Sequence, residues 1–552
     1  MTIRIIDAPV ATYRLFMPAD HNKNALIDTR VEKDELLRNV LIEKGVQGFI
    51  PQNFSDEEHF NIEQQLLKGL KIESYTFPSA QDIQGLIVES ILGGNGIKAK
   101  GLLTQENCSK PDKFGVTPTM AAAYTGNSGI MDQLISLGAN LNHTDRWGQS
   151  PLIIAIYANN KEIAKKLIDS GVNLNVLDLD NNSALLGACD HNDLELIRLL
   201  VQKGADINMS HYEGFTPLFT AARDNKIEVV NLLLELGADI NKPNKQLFTP
   251  LSAAAHKNNN DILKILIQHK AKLDLKDQWG ATALHRAAAA GNLDCIRTLI
   301  SSGANPNIQA DDNRYTPLML AINCGHTEIA ELLIQAKADL NLQESLGQSA
   351  LMLALRGHHD DVAHLLIKAK ANVNLIDITG MSAIVTAAIN SSDQMFEELI
   401  KAGANINART PSKETVKKGI QKATDQFKGE NQELAVQIRE QYEALLKFFP
   451  DTGNGSLLLL PICVENINKV RTLIKAGAKV NVKDNTGATP LLWAVYVGNI
   501  PIIKLLLESG ADVTVKDKKG KGIVEYIADD ATLQFLKEWF NQKAVPKVKQ
   551  KR

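Results

Sequence analysis

The densest group of metal-ligand side chains is His358, His359, Asp360, Asp361 and His364. Imidazole and carboxylate are the right chemistry for a divalent cation, but in a helical setting these positions read as a polar, solvent-facing stretch, and no metal is expected. Five cysteines, Cys108, Cys189, Cys295, Cys324 and Cys463, lie far apart with no CxxC pair, so neither a zinc ribbon nor a disulfide framework is indicated. A reducing compartment fits that usage. Cys108 has no histidine near it in sequence, which leaves only a pair assembled in space as a nucleophilic option. The GGNG run at 93–96 lacks the Lys-Ser/Thr that a phosphate loop requires, and HExxH and GxSxG are absent. The chain therefore offers no catalytic or metal-binding motif, and no cofactor is expected.

Composition narrows the reading further. The chain has 552 residues, 60 Lys+Arg against 63 Asp+Glu, a net charge of -3 and 44% hydrophobic residues. A near-neutral total excludes a protein held by its overall field on nucleic acid or an acidic membrane. No stretch of 18 apolar residues occurs and the first 20 residues lack a secretory core, so a cytoplasmic protein with no membrane span is expected. At this length one core is too few.

The elements that position these residues follow a fixed period. Thr117, Ser150, Ser183, Thr216, Thr249, Thr282, Thr316, Ser349 and Ser382 are spaced by 33 residues, once by 34. The register resumes at Ser456, Thr489 and Gly522, after 41 inserted residues. In each unit a hydroxyl residue, often followed by Pro, opens one helix. A polar turn leads to a second, such as EVVNLLLELG, which ends in Gly-Ala-Asp/Asn. Thr216 is an N-cap with Pro217 at the first helical position. Gly171, Gly204, Gly237, Gly303, Gly403 and Gly510 stand where a left-handed residue ends a helix. Val229, Leu232 and Leu233 form a stripe that one unit cannot bury alone, so neighbours must stack.

The segments TPLF at 216–219, GADIN at 204–208, TALHRAAAAGN at 282–292 and LISSGANPN at 299–307 resemble ankyrin repeats. The resemblance covers about three quarters of the chain and implies a mainly α ankyrin-repeat solenoid of about twelve helix-turn-helix units, a curved rod of order 120 Å at 10–12 Å per helix layer. Only His285 keeps the histidine the family places after TPL or TAL, and His359 takes the place of its Gly-His turn. The Asx residues that recur after each GAD-like segment, Asn142, Asn175, Asn208 and their equivalents, read as loop-holding turn chemistry rather than a functional ladder.

Outside the period, residues 1–78 read as a small α+β module with thin chemistry, His21 and His59 among scattered carboxylates. Residues 79–112 read as capping helices, 113–410 as repeats one to nine, and 411–450 as an inserted helical hairpin standing off the stack. Residues 451–541 read as repeats ten to twelve with the C-terminal cap, and 542–552 as a basic tail.

The resemblance implies a non-enzymatic scaffold that binds intracellular protein on its concave face, as a monomer and without nucleic acid. Of the thirty-five usual variable positions in repeats one to seven, nine are aromatic, about a quarter against 5% in the whole chain. They are Phe114, Tyr124, Trp147, Tyr157, Tyr212, Phe215, Phe248, Trp279 and Tyr315, and Arg146 and Arg223 join them as orienting charges. Aromatic and arginine side chains dominate interface hot spots, so the partner is expected along these repeats. Asn is plentiful, at 44 residues, and Lys far exceeds Arg. With divergent repeats and an unrelated first module, this resembles the ankyrin effectors that intracellular bacteria deliver into host cytosol. The alternative is an enzyme whose N-terminal module is catalytic and whose repeats recruit substrate.

Overall fold

The computed structural model describes residues 83–179, 182–210, 213–311, 313–426 and 455–544. The α+β module, His21, His59, Tyr212, the later half of the insertion and the end of the basic tail lie outside the described residues. The chain divides into two compact units, 1–250 and 251–552.

In the first unit the helices come in pairs: Ile83–Leu92 with Gly96–Leu102, Pro118–Thr125 with Ser128–Ser136, Pro151–Tyr157 with Lys161–Asp169, Ala184–Asp190 with Leu194–Gln202, and Pro217–Arg223 with Ile227–Glu235. The hydroxyl that opens each repeat starts its first helix. Thr216 Oγ1 accepts the Phe219 N–H at 3.1 Å and Ser183 Oγ the Leu186 N–H at 3.1 Å, satisfying donors the helix cannot bond internally. First helices pack on first helices and second on second. Leu134, Leu167, Leu200 and Leu233, one per second helix at a 33-residue step, are all fully buried. Burying one such leucine contributes about 1.5–3 kcal/mol, and each is covered by a neighbouring repeat.

The second unit continues the pattern from Pro250–His256 and Asn260–Gln268 through Ala283–Ala290, Leu293–Ser301, Pro317–Asn323, Thr327–Gln335, Ala350–Arg356, Asp360–Lys368, Ala383–Asn390 and Asp393–Lys401. After the insertion come Leu459–Cys463, Ile467–Lys475, Pro490–Val497, Ile500–Glu508, a 3-10 turn at Ile523–Tyr526 and a closing helix, Asp530–Ala544. Buried leucines keep the step at Leu266, Leu299, Leu333, Leu366, Leu399, Leu473 and Leu506. Among the described residues extended pairing is limited to isolated bridges, Gln343 with Ser349, Ile376 with Ser382 and Arg409 with Ser456.

Most second helices end on a left-handed glycine such as Gly204 (φ 99°), but Lys270, Lys337 and Lys370 hold the same left-handed backbone at φ 68°, 60° and 66°. A side chain there is strained, by about 1 kcal/mol.

The stack closes across the insertion as if it were absent. Thr410 N–H donates to Gly455 O at 3.0 Å, and Arg409 Nη1 donates to Lys483 O at 3.1 Å. Lys469, 3% exposed, is the main fastener, its Nζ donating to Ala387 O, Ala388 O and Ser391 O at 2.9, 3.3 and 2.7 Å. Its ammonium sits at the carbonyl end of helix Ala383–Asn390, where a cation is favoured.

The expectation that the insertion stands off the stack is corrected in its described part. Helix Lys413–Gln426 lies against the loop before Ser382, with Val416 and Thr379 fully buried. The reason is Gly419: a Cβ there would fall 2.9 Å from Thr379 Cγ2 and 3.0 Å from Ile378 O, so only glycine lets the helix backbone seat this closely.

Candidate protein-binding surface

Several repeats enter their first helix through a finger loop built on one acceptor side chain. Asp145 Oδ1 accepts the Trp147 and Gln149 N–H groups, both at 2.9 Å, and Asp277 Oδ1 those of Trp279 and Ala281, both at 3.0 Å. Asn244 does the same for Gln246 and Phe248 at 3.0 and 2.8 Å. The acceptor folds inward, so the two residues after it are displayed at the tip. The next glycine closes the turn; at Gly148, φ is 77° and a Cβ would meet Asp178 Cα at 3.2 Å.

A second ladder ties repeat to repeat. Asn142 Oδ1 accepts the Asn173 N–H at 2.7 Å, Asn175 that of Asp206 at 2.8 Å, Asn341 that of Asn372 at 2.8 Å and Asn374 that of Asn405 at 2.9 Å. The sequence points to turn chemistry for these residues. The bonds instead reach 31 residues ahead and hold the neighbouring loop.

On this scaffold the first unit places Phe114 and Trp147 at successive finger tips, both half-buried, with Lys113 Nζ 5.0 Å and Arg146 Cζ 4.3 Å from the respective ring centres. Burial lowers the Arg146 pKa. Tyr124 and Tyr157 lie at the ends of their first helices, half-buried. Tyr157 is committed to the next repeat. Its hydroxyl donates to Asn182 Oδ1 at 3.1 Å, and its ring fills the space a Cβ at Gly187 would need, 2.8 Å from Tyr157 Cε2. Burial, with Asp190 nearby, pushes its phenol well above the ordinary range. Phe215 stacks on Phe219 with centroids 4.8 Å apart, and Arg223 Cζ lies 5.7 Å from its ring. Arg223 pairs with Asp224 through two bonds, at 2.7 and 2.9 Å, which raises its pKa. Phe248 is half-buried in its finger.

In the second unit Trp279 is 38% exposed, with Arg286 Cζ 5.0 Å from its ring centre. Arg286 Nε donates to Asp277 Oδ2 at 2.8 Å, so one carboxylate fixes both the finger and the guanidinium beside the tryptophan. Tyr315 is half-buried, its phenol pushed up to about 12 by burial and by Glu344. Its carbonyl oxygen accepts from His285 Nε2 at 3.1 Å, while His285 Nδ1 accepts the Thr282 N–H at 3.1 Å. Burial lowers the His285 pKa to about 4, so the ring is neutral and joins two repeats.

Three features lay beyond the sequence reading. In three fingers the second oxygen of the acid is met by the residue nine positions later: Arg286 on Asp277, Trp493 Nε1 on Asp484 at 2.9 Å, and the Tyr526 hydroxyl on Asp517 at 3.1 Å, whereas Asp178 Oδ2 accepts from Asn182 Nδ2 at 3.1 Å. At Asp145 the ninth residue is Ile154, and Asp145 Oδ2 is buried with no partner. Side chains of the following repeat also cap the carbonyl ends of first helices, as Asn160 Nδ2 does on Ala123 O and Tyr124 O at 2.9 and 2.7 Å. The constant nine-residue spacing is the one signal that could have exposed the first.

In the histidine-rich run His364 Nδ1 lies 2.6 Å from Glu398 Oε1 of the next repeat. Among the described residues no group of three or more His, Cys, Asp or Glu is placed to hold a metal ion. Burial pushes the Cys295 and Cys463 thiols up to about 11 and Cys189 higher, which removes them as thiolates at neutral pH. No described helix is long and apolar enough to cross a membrane.

Short helix pairs, each sealed by the next and joined by outward fingers, define a helical-repeat protein. A family model for ankyrin repeats, three copies to a match, fits residues 84–178, 158–244, 251–344, 318–410 and 433–517, well over half of the sequence. The chain belongs to the ankyrin repeat family. No curated protein matches it.

Proposed function

We propose that this chain is a protein-interaction scaffold whose finger tips and first-helix ends grip polypeptide partners, on the first unit around Arg146 and Trp147 and on the second around Trp279 and Arg286. One observation carries the reading: at both places a tryptophan face and a guanidinium are displayed together on a finger whose backbone is held by a buried carboxylate. Preorganised aromatic and arginine groups lose little entropy on binding and suit an interface centre. Phe114, Tyr124, Phe215, Arg223, Phe248 and Tyr315 supply surrounding contact area. Tyr157 supports its neighbours and is not an anchor. The finer reading is delivery into a host cell, supported by the Asn- and Lys-rich composition.

The test is affinity capture from animal-cell lysate with wild type beside Trp147→Ala and Trp279→Ala, each first checked by circular dichroism. Prey lost with one substitution and kept with the other assigns that partner to one unit. Identical prey lists for all three proteins would refute the placement. A partner found only in bacterial lysate would refute host delivery.

A further inference from the structure

Fingers throughout the molecule turn their acids inward, and at the last finger this leaves cations alone at the surface. Residues 516–521 contain Lys516, Lys518, Lys519 and Lys521, all exposed, and a single acid, Asp517. Asp517 Oδ1 accepts the N–H groups of Lys519 and Lys521 at 2.9 and 2.8 Å, and its Oδ2 accepts from the Tyr526 hydroxyl. Among the described residues none of the four ammonium groups makes an ion pair. Lys483 and Arg409 occupy the place of Lys516 on the two preceding fingers, and those fingers are laced together through Arg409 Nη1 to Lys483 O and Lys518 N–H to Thr486 O at 2.7 Å. The same end of the chain exposes two large side chains, Val524 at 67%, three residues after Lys521, and Tyr496 at 58%, at the end of the preceding first helix. Tyr496 meets Trp493 edge-on at 5.7 Å.

We propose that this edge binds an extended acidic polypeptide segment with a carboxylate at every third residue and an apolar residue alongside. The spacing follows from the scaffold. Packed helices set adjacent fingers about 10 Å apart, and an extended chain advances about 3.3 Å per residue, so three residues separate successive fingers. A peptide is favoured over a nucleic acid because the tip positions here are Asn485, Thr486, Lys518 and Lys519, with no aromatic row on which bases could stack. The aliphatic Val524 asks for a hydrocarbon neighbour. The site is separate from the tryptophan fingers, so its fate does not decide theirs.

The test is fluorescence anisotropy with the full chain and a labelled 12-residue peptide carrying Glu at every third position and one Leu. Comparison probes are a peptide of the same composition with its Glu clustered, a 12-nucleotide thymidine strand, and vesicles containing phosphatidylserine. We expect the spaced peptide to bind at least fivefold more tightly than the clustered one. Lys516→Gln/Lys518→Gln/Lys519→Gln/Lys521→Gln should weaken it at least tenfold, while Lys475→Gln/Lys504→Gln, on exposed second-helix faces, should leave it unchanged. Circular dichroism checks that both variants are folded. Equal binding of the two peptides, wild-type affinity in the fourfold variant, or tighter binding of the thymidine strand or the vesicles would overturn the proposal.

Discussion

Asp145→Asn is a substitution whose effect the structure fixes in sign and in pH dependence. Asp145 is 5% exposed; its Oδ1 holds the finger, and its Oδ2 has no partner. Burial, reinforced by Asp178, raises its pKa from 3.8 to about 6. The folded state therefore binds more protons than the unfolded state between those values, and stability falls as pH rises through that window. Two units at about 1.4 kcal/mol each set an upper figure of about 3 kcal/mol for keeping this carboxylate ionised at pH 7.5. Asparagine keeps the Oδ1 acceptor, and Asn244 shows the same finger built on an amide. The new Nδ2 must find an acceptor, and Gln149 Oε1 is a buried acceptor with no donor. We expect Asp145→Asn to stabilise the first unit by about 1–2 kcal/mol at pH 7.5 and to have almost no effect at pH 4.5, where the native side chain carries a proton. Asp145→Ala, which loses both finger bonds, should destabilise at both values. The assay is urea unfolding with hydrogen exchange over residues 145–157, because sections of a repeat stack open separately. A gain of equal size at both pH values, or a loss at pH 7.5, would refute the reasoning.

Replacing Lys270, Lys337 or Lys370 with Gly should stabilise the second unit by about 0.5–1 kcal/mol each, since the backbone is already left-handed there; thermal melts of single and triple variants check it, and Lys203→Gly, at a helix end where φ is -86°, should lose stability. His285 is neutral in the fold with its pKa lowered to about 4, so its contribution is complete above pH 6.5 and is lost as pH falls toward 4, by up to about 3 kcal/mol. That slope should vanish in His285→Gln, measured by urea midpoints from pH 7.5 to 4.5. Lys469→Met removes three bonds from carbonyls at a helix end and should cost about 2–3 kcal/mol, read as faster hydrogen exchange in 383–401 and 456–475 with 283–301 unchanged.

The period carried most of this fold into view because a 33-residue step fixes which leucines face the same neighbour. Thr216, Pro217 and Gly204 mark helix ends through local chemistry that needs no tertiary knowledge. What the pattern could not carry is where a side chain goes once it crosses between repeats. Asn142 reads as a local turn residue, yet its oxygen bonds an amide 31 positions on. Tyr157 and Trp147 look alike as variable-position aromatics, but Gly187 of the next repeat opens a seat for the Tyr157 ring that no sequence pattern announces. Lys469 sits on a helix face like any surface lysine, and only the closing of the stack over the insertion turns it inward. The seat of helix Lys413–Gln426 depends on one glycine inside an otherwise polar amphipathic stretch.

The finger acid, in the repeats that have one, links stability to what the surface displays. Where the finger residue is an aspartate it serves its own loop through one oxygen, and at Asp277, Asp484 and Asp517 the second oxygen is met by the residue nine positions later. Arg286 answers Asp277, and its guanidinium flanks Trp279. Trp493 answers Asp484 and carries Tyr496 on its ring edge, whereas Ile154 leaves the second oxygen of Asp145 without a partner. The same structural demand, satisfying a buried carboxylate, thus produces a guanidinium beside an indole in one repeat and an indole–phenol pair in another. Differences in what these repeats display then follow from how each meets that demand. Tip residues and their ninth-position partners should therefore be exchanged together when binding is moved from one repeat to another.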